Sequence, residues 1–353
     1  MSAPLIAPPE VVKKCEAAWV KLQMTLTDNC FSLLRKHYTK EILDACKDKK
    51  TKLGASLMDV IQSGIDNLDS EVGVYAPDAE AYTVFAALFN PIIQPAVDFD
   101  ESKMNQLADL DPNGEYINST RIRCARNLQR YPLNPMMTLH SYVDAESKIK
   151  KALVGLKDTD LQGTYHAIEG MKSDVRATLI EQHILFKSGD RFMQKANACR
   201  HWPSGRGIYY NKAKTFLVWV NEEDHLRIVS MQKGGNIAAT LARLIKGIKA
   251  IEEKESFARD ERLGYITCCP TNLGTTIRAS VHVKLPKLSA KPGFDKICAG
   301  LKLEVRGVHG EHTESVGGVY DISNKRRLGL TEFEAVMEMY DGVKKLIELE
   351  KAA

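Results

Sequence analysis

Residues 265–288 read YITCCPTNLGTTIRASVHVKLPKL. Within this stretch Ile277, Ala279, Val281 and Val283 alternate with Arg278, Ser280, His282 and Lys284. Alternation with period two sends successive side chains to opposite faces of a strand. One face is therefore apolar and fit for a core. The other carries Arg, Ser, His and Lys in a row, a set that suits an anion such as phosphate. Cys269 closes the turn before the strand, so a thiol is expected at the rim of this basic platform. The plain alternative is an amphipathic strand with a solvated outer face. This stretch alone does not separate the two.

The chain around it has 353 residues, 44% hydrophobic and 27% charged, with a net charge of +4. That length suits two domains, and that composition a globular fold. So small a net charge argues against a general nucleic-acid coat. No apolar run approaches the ~20 residues that cross a bilayer. The start, MSAPLIAPPE, lacks the basic and apolar regions of a secretory signal. Eight scattered Cys with no C-x-x-C suit free thiols in a reducing cytoplasm better than disulfides or zinc. The expectation is a cytoplasmic protein with no nucleic-acid or membrane partner.

Outward from the opening stretch, strand-like runs recur at 115–123, 207–211, 215–221, 227–231, 263–267 and 303–306. Helical patterns fall at 144–157, 172–183, 236–257 and 332–350. Turn-linked neighbours such as Tyr210-Asn211-Lys212 indicate hairpins, hence an antiparallel sheet. Upstream, Val11, Val12, Cys15, Trp19 and Leu22 keep helical spacing, as do 56–65 and 79–88, with Pro77-Asp78 as a stop-and-cap signal. The fold expected is α+β: a small all-α N-terminal domain over residues 1–97, a linker over 98–114, and a larger domain over 115–353 with an antiparallel β-sheet flanked by helices.

Several motifs carry chemistry. Ser119-Thr120-Arg121-Ile122-Arg123 sets two Arg on one strand face, with Arg126 close behind. Adjacent guanidinium forks repel unless an anion or carboxylate lies between them. Residues 221–227, NEEDHLR, gather acids and an Arg at a strand end. Residues 305–314, VRGVHGEHTE, are followed by Gly317-Gly318 and read as a loop able to fold over a ligand. Their His and Glu lack metal-motif spacing, so no metal site held by protein side chains is expected. Gly-Lys never occurs, which removes the P-loop, and neither His-Arg-Asp nor Asp-Phe-Gly is present. No G-x-G-x-x-G follows a strand.

One arrangement accounts for these pieces. Arg121, Arg123, Arg227, Arg278 and Arg306 converge on a polyphosphate. Loose in-line phosphoryl transfer needs clamped phosphates, Mg2+ and an aligned acceptor rather than covalent chemistry. Glu223, Glu311 and Cys269 then form an acidic side that fits a planar cation such as a guanidinium.

On these residues the chain resembles the phosphagen (ATP:guanidino) kinases, most closely the members that phosphorylate arginine. The matching motifs are STRIRC at 119–124, KANACR at 195–200 with WPSGRG at 202–207, NEEDHLR at 221–227, CPTNLGT at 269–275 with its continuation to Leu288, GEHTE at 310–314 and YDISNKRR at 320–327. The match covers nearly the whole chain. The resemblance implies a small all-α domain beside a larger one built on an antiparallel sheet. It also implies reversible, Mg2+-dependent transfer from ATP to the guanidino group of L-arginine, giving ADP and phosphoarginine. The alternatives are the same chemistry on taurocyamine, glycocyamine or lombricine, or a catalytically dead anion-binding protein. The last would need a broken Arg or Glu, and the sequence has none.

By the same resemblance the five Arg hold the nucleotide phosphates, within stretches that also include Ser119, Thr120, Ile122, Ala279, Ser280, Val281, His282, Gly307, Val308, His309 and Gly310. His183 and Asp321 serve the nucleotide as well. Glu223, Cys269 and Glu311 hold the guanidinium and, with Arg227 and Arg278, form the catalytic set. Ser70, Glu71, Val72, Gly73, Val74 and Tyr75 form the loop that reads the far end of the acceptor. Mg2+ is expected on nucleotide phosphates and water, and Cys269 as a thiolate. Family members occur as monomers and homodimers, and a monomer is favoured here. Three departures bear on the acceptor. Glu71 stands where the arginine-phosphorylating members usually carry Gly. The segment 94–109 is shorter than usual. Val308-His309 replaces a Thr-Arg pair.

Overall fold

In a computed structural model of the chain, residues 5–24, 32–93, 107–182, 184–307, 317–326 and 330–353 are described. Helical spacing of apolar residues builds the first domain. A short ribbon of β1 (Leu5–Ile6) and β2 (Lys49–Lys50) pins the N-terminal end. Helix α1 (Pro9–Met24) buries Cys15, Ala18 and Leu22. It packs on α3 (Lys40–Cys46), which follows α2 (Leu33–His37), and on α4 (Leu57–Asp66). Side-chain caps start these helices: Ser32 and Thr39 accept from the N–H groups of Arg35 and Ile42, and Ser56 with Asp59 closes a capping box. The single helix expected over 79–88 is two short ones, α5 (Ala81–Val84) and α6 (Ala86–Phe89), because Phe85 leaves helical geometry at φ −106°, ψ 32°. The Asp78 carboxylate accepts from Ala81 N–H at 2.9 Å, as the Pro-Asp signal led one to expect.

The larger domain carries an eight-stranded sheet. Its strands are β3 (Ile117–Arg126), β4 (Gly163–Ala167), β5 (Gly207–Asn211), β6 (Phe216–Val220), β7 (Leu226–Lys233), β10 (Arg278–Lys284), β11 (Leu303–Arg306) and β12 (Val319–Asn324). They lie in the order β11-β12-β10-β3-β7-β6-β5-β4, each pair antiparallel. A small ribbon of β8 (Arg259–Asp260) and β9 (Gly264–Tyr265) sits apart. The helices are α7 (Leu139–Val154), α8 (Ser173–Glu181), α9 (Arg191–Lys195), α10 (Ile237–Glu252), α11 (Pro286–Ser289), α12 (Phe294–Gly300) and α13 (Glu332–Lys351). The class is α+β with a helical N-terminal domain, as expected. Strands β4 and β12 were not legible, since neither GTYHA nor VYDISN alternates cleanly. The strand expected at 263–267 shrinks to β9, Gly264–Tyr265.

Alternation decides the sheet's faces. Ile122, Cys124, Ala279, Val281 and Val283 point into a core completed by α10 and α13. A Cβ on Gly247 of α10 would lie 2.4 Å from the Phe216 ring, so glycine permits that close approach. On the opposite face, Ile208, Leu217 and Val229 lie under Ile168, Leu179, Ile184 and Phe186. The rest of that face is polar and holds the site.

The helical domain's core continues into the larger domain through Leu133, Ala196, Leu263, Ile266, Cys268, Cys269 and Leu273. Arg191 also pairs with Asp69, Lys195 meets Asp66 at 3.2 Å, and Ser63 Oγ donates to Phe192 O at 2.9 Å. Exposed ion pairs contribute at most ~1 kcal/mol, while each fully buried Leu or Ile contributes roughly 1.5–3 kcal/mol. The shared apolar core, not the rim of charges, therefore joins the domains. Among the described residues no helix is long and apolar enough to cross a membrane.

Candidate active site

Strand register brings the arginines together. Ser119, His282, Asp321 and Arg306 lie in one row across β3, β10, β12 and β11. Two residues along, Arg121 faces Ser280, which faces Ser323. The next row sets Arg123 opposite Arg278, and the one after sets Arg227 of β7 opposite Ala125. Because side-chain direction repeats every two residues, all five arginines share one face. The opening alternation is thus real, but its second face is not simply solvated: Arg278 and Ser280 are buried, His282 is half-buried and only Lys284 is exposed.

So many cations need counter-charges. Arg278 Nη2 meets Asp321 Oδ2 at 2.9 Å, Arg306 Nη2 meets Glu304 Oε1 at 2.7 Å, and Arg227 meets Glu222 at 3.1 Å and Glu223 at 2.6 Å. Burial opposes ionisation of Asp321, yet Arg278 holds its carboxyl below the usual carboxylate range. Burial, with Arg278 and Arg227 nearby, brings Arg121 down to about 10, still protonated at neutral pH. A face where one guanidinium is depressed by its neighbours favours an added anion. Ser119 Oγ lies 3.2 Å from His282 Nδ1, on the same row as Asp321.

An edge carrying Glu223 and Cys269, expected to hold the acceptor, adjoins this face at Arg227. Glu223 Oε2 takes Arg227 Nη2 and, at 3.2 Å, Asn272 Nδ2. Burial raises the Glu223 carboxyl while Arg227 pulls it down. Cys269 starts the 3-10 turn Pro270–Asn272, its Sγ 3.0 Å from Thr271 Oγ1. Burial and the neighbouring Glu223 push the thiol up to about 12. Both effects favour the neutral thiol over the thiolate expected from sequence.

The loop at 70–75 is tied to this edge. Ala76 N–H donates to Cys268 O at 2.8 Å. Tyr75 is buried, and after desolvation its strongest electrostatic neighbours are Cys269 and Glu223, all raising its phenol. Gly73 N–H donates to Ser70 Oγ at 3.0 Å, and the carbonyls of Glu71 and Val72 accept from Leu33 and Leu34. The Glu71 side chain is exposed. Gly73 has φ +77°, and a Cβ on Gly64 would lie 2.4 Å from its carbonyl oxygen, so helix and loop pack backbone to backbone.

Some expected residues fall elsewhere. Period two turns the side chains of Thr120, Ile122, Ala279 and Val281 to the core face; Thr120 Oγ1 donates to Gly234 O there. Arg126, out of phase with Arg121 and Arg123, also leaves the arginine face and stacks 3.5 Å from the centre of the Tyr265 ring. Gly307 ends a described segment. His183, Val308, His309, Gly310 and Glu311 lie outside the described residues, as do 98–106 of the expected linker.

Sequence reasoning missed a support layer. Asp224 accepts from Asn127 Nδ2 at 2.6 Å and Cys268 N–H at 2.8 Å, and burial, then Glu223, raises it to about 7. His225 accepts from Leu128 N–H at its Nδ1, its Nε2 lies 3.0 Å from Pro132 O, and burial brings it down to about 4. Their position inside the acidic motif was the only available signal. A separate cavity of about 720 Å3, bordered by Tyr82, Arg130, Leu133, Arg259 and Ile266, is lined by none of the expected site residues.

A cationic sheet face meeting a carboxylate and thiol edge suits phosphoryl transfer to an acceptor that is itself a cation. The chain belongs to the ATP:guanido phosphotransferase family: residues 144–353 match that family's C-terminal catalytic domain and 28–94 its N-terminal domain. It is 59% identical to a probable arginine kinase of Caenorhabditis elegans, over 98% of this chain and 90% of that one. It is 55% identical to an arginine kinase of Artemia franciscana, over 97% and 98%. Among solved structures it is similar to the substrate-free duplicated taurocyamine kinase of Schistosoma mansoni, with a TM-score of 0.88, 39% identity, and 95% of this chain on 49% of that one. It is also similar to a lombricine kinase, with a TM-score of 0.86 and 38% identity over 94% and 95%.

Proposed function

We propose that this chain transfers the γ-phosphoryl group of ATP reversibly to the guanidino group of L-arginine. The observation that carries the reading is the placement of five arginines on one sheet face, with Arg227 bonded directly to Glu223. Arg121, Arg123, Arg227, Arg278 and Arg306 hold the phosphates, and Ser119, Ser280 and His282 serve the nucleotide on the same face. In a loose transfer, charge spreads over the phosphoryl oxygens. A single well-placed donor there contributes about 2.7–4 kcal/mol in a site that excludes water.

At the acceptor edge a carboxylate grips a guanidinium through paired N–H groups. As the P–N bond forms, the attacking nitrogen gives up a proton. Glu223, raised by burial, is suited to take it. Alignment is its larger part, since positioning is worth several kcal/mol. Glu311 keeps the matching role implied by the resemblance. Both substrates together close the site and exclude water, which spares ATP from hydrolysis. Mg2+ neutralises phosphate charge when bound. It would be held through the nucleotide phosphates and water, which suits an ion that keeps much of its hydration.

Arginine as acceptor is supported by the names of the relatives; the side chain of Glu71, the departure nearest the expected substrate carboxylate, is exposed. Tyr75 and the 70–75 loop read that far end. Free thiols at all seven described cysteines suit a reducing compartment such as the cytoplasm. Nucleotide and acceptor residues sit in one chain, so a monomer suffices. Phosphorus NMR of ATP, Mg2+, arginine and the protein tests the reading. A new P–N resonance growing with ADP is expected; its absence at full ATP turnover would refute it.

A further inference from the structure

Thr276 stands between the acceptor turn at Cys269 and the phosphate-facing Arg278, and its backbone lies in the left-handed region at φ +62°. A β-branched residue there is strained, and such strain persists only where the surroundings enforce it. The enforcement is visible. By register Thr276 would be the next partner of Ala125, but its turned backbone cannot make the ladder bonds. Its hydroxyl makes them instead: Oγ1 accepts from Ala125 N–H at 2.9 Å and donates to Ala125 O at 3.1 Å. The second lone pair accepts from Arg126 Nη1 at 2.8 Å. A hydroxyl has one donor and two acceptor sites, and all three are used.

Arg126 is held in turn. It is buried, donates to Ala125 O at 2.8 Å and lies 3.5 Å from the centre of the Tyr265 ring. Tyr265 N–H donates to Gly274 O at 3.1 Å, and Gly274 N–H to Leu263 O at 2.9 Å, so the same ribbon grips the other end of the turn. Beyond it, Asn324 Oδ1 accepts from Ala279 N–H at 2.8 Å. The backbone from Gly274 to Ala279 is thus fixed from three sides; Arg278 projects from it, and Cys269 stands on the turn just before it.

We propose that Thr276, braced by Arg126, is a positioning residue for phosphoryl transfer: it sets the aim of Arg278 against the acceptor turn. The inference rests on Arg278 being a phosphate clamp. A misplacement of about 1 Å at the reacting groups can cost about 100-fold in rate. Thr276→Val keeps the shape but takes the acceptor from Ala125 N–H, and leaves Ala125 O and Arg126 Nη1 only their bond to each other. Thr276→Gly removes the strain and the hydroxyl together. Thr276→Ser keeps the hydroxyl. Measured well below each variant's Tm, the first two are expected to lose about 10- to 100-fold in kcat, with a smaller change in nucleotide Kd, and Thr276→Ser to restore most of it. Should Thr276→Val fail to fold, Thr276→Gly decides, because glycine accepts the left-handed backbone. If Arg278→Ala is inactive while the Gly and Val variants keep wild-type kcat and lose only Tm, the positioning role is overturned. If Arg278→Ala keeps wild-type kcat, the clamp reading fails instead.

Discussion

The Arg227 guanidinium donates to Glu223 Oε2 at 2.6 Å, so the arginine face and the acceptor edge meet in one ion pair. Glu223→Gln removes the charge proposed to grip a guanidinium and leaves Arg227 less well balanced. Steady-state kinetics should show kcat lower by about 100-fold or more, with a smaller change in nucleotide KM. A variant with wild-type kcat would take Glu223 out of the chemistry.

Arg278 and Asp321 form a second pair, both buried. Removing one partner of such a pair costs roughly 3–5 kcal/mol, because the other charge is left buried. Asp321→Asn should therefore lower Tm at neutral pH, and ADP should recover part of the loss by binding the native state. The native Asp321 carboxyl is held below its usual range. Its contribution is present above the unfolded carboxyl pKa near 4 and fades as pH falls through the lower folded value. The gap in Tm between wild type and Asp321→Asn should narrow on acidification; a pH-independent gap would contradict the assignment.

Asp224 runs in the opposite sense. Burial raises it to about 7, so its folded form binds a proton that the unfolded form releases near pH 4. Its contribution to stability is full below the unfolded pKa and is lost as pH rises to about 7. The Tm deficit of Asp224→Asn should shrink between about pH 4 and 7. A deficit that grew over this range would show that the carboxylate, not the acid, is the stable buried form.

Gly64 and Gly73 pack backbone to backbone beneath the 70–75 loop. Gly64→Ala would force its Cβ against the Gly73 carbonyl and move the loop. The expected result is a raised arginine KM with nucleotide KM unchanged. An unaltered arginine KM would separate this loop from acceptor binding.

How far the sequence spoke for itself depended on periodicity. The alternation at 277–284 gave the strand, its core face and Arg278, and the pair Arg121 and Arg123 followed from the same rule. The rule also excludes Arg126, three residues past Arg123, although proximity in sequence drew it toward the site. Strand β12 escaped notice, so Asp321, which the resemblance placed at the nucleotide, was not legible as the partner of Arg278; it sits in a run without clean alternation. The supports Asn127, Asp224 and Thr276 were hidden for a different reason. Their roles arise from long-range hydrogen bonds, and a hydroxyl or amide looks the same in sequence whether it meets water or replaces a ladder bond. The pull of burial and Glu223 on the Cys269 thiol was not legible either, since it arises from residues distant in sequence.

The acceptor is the point where one experiment weighs most. Initial rates with ATP and Mg2+ can be measured over a panel of arginine, taurocyamine, glycocyamine and lombricine. Arginine should give the highest kcat/KM, with Tyr75 and the 70–75 loop accommodating its carboxylate beside an outward Glu71. A higher kcat/KM for taurocyamine or lombricine would contradict arginine as the acceptor, and no turnover with any of the four would contradict guanidino phosphorylation itself.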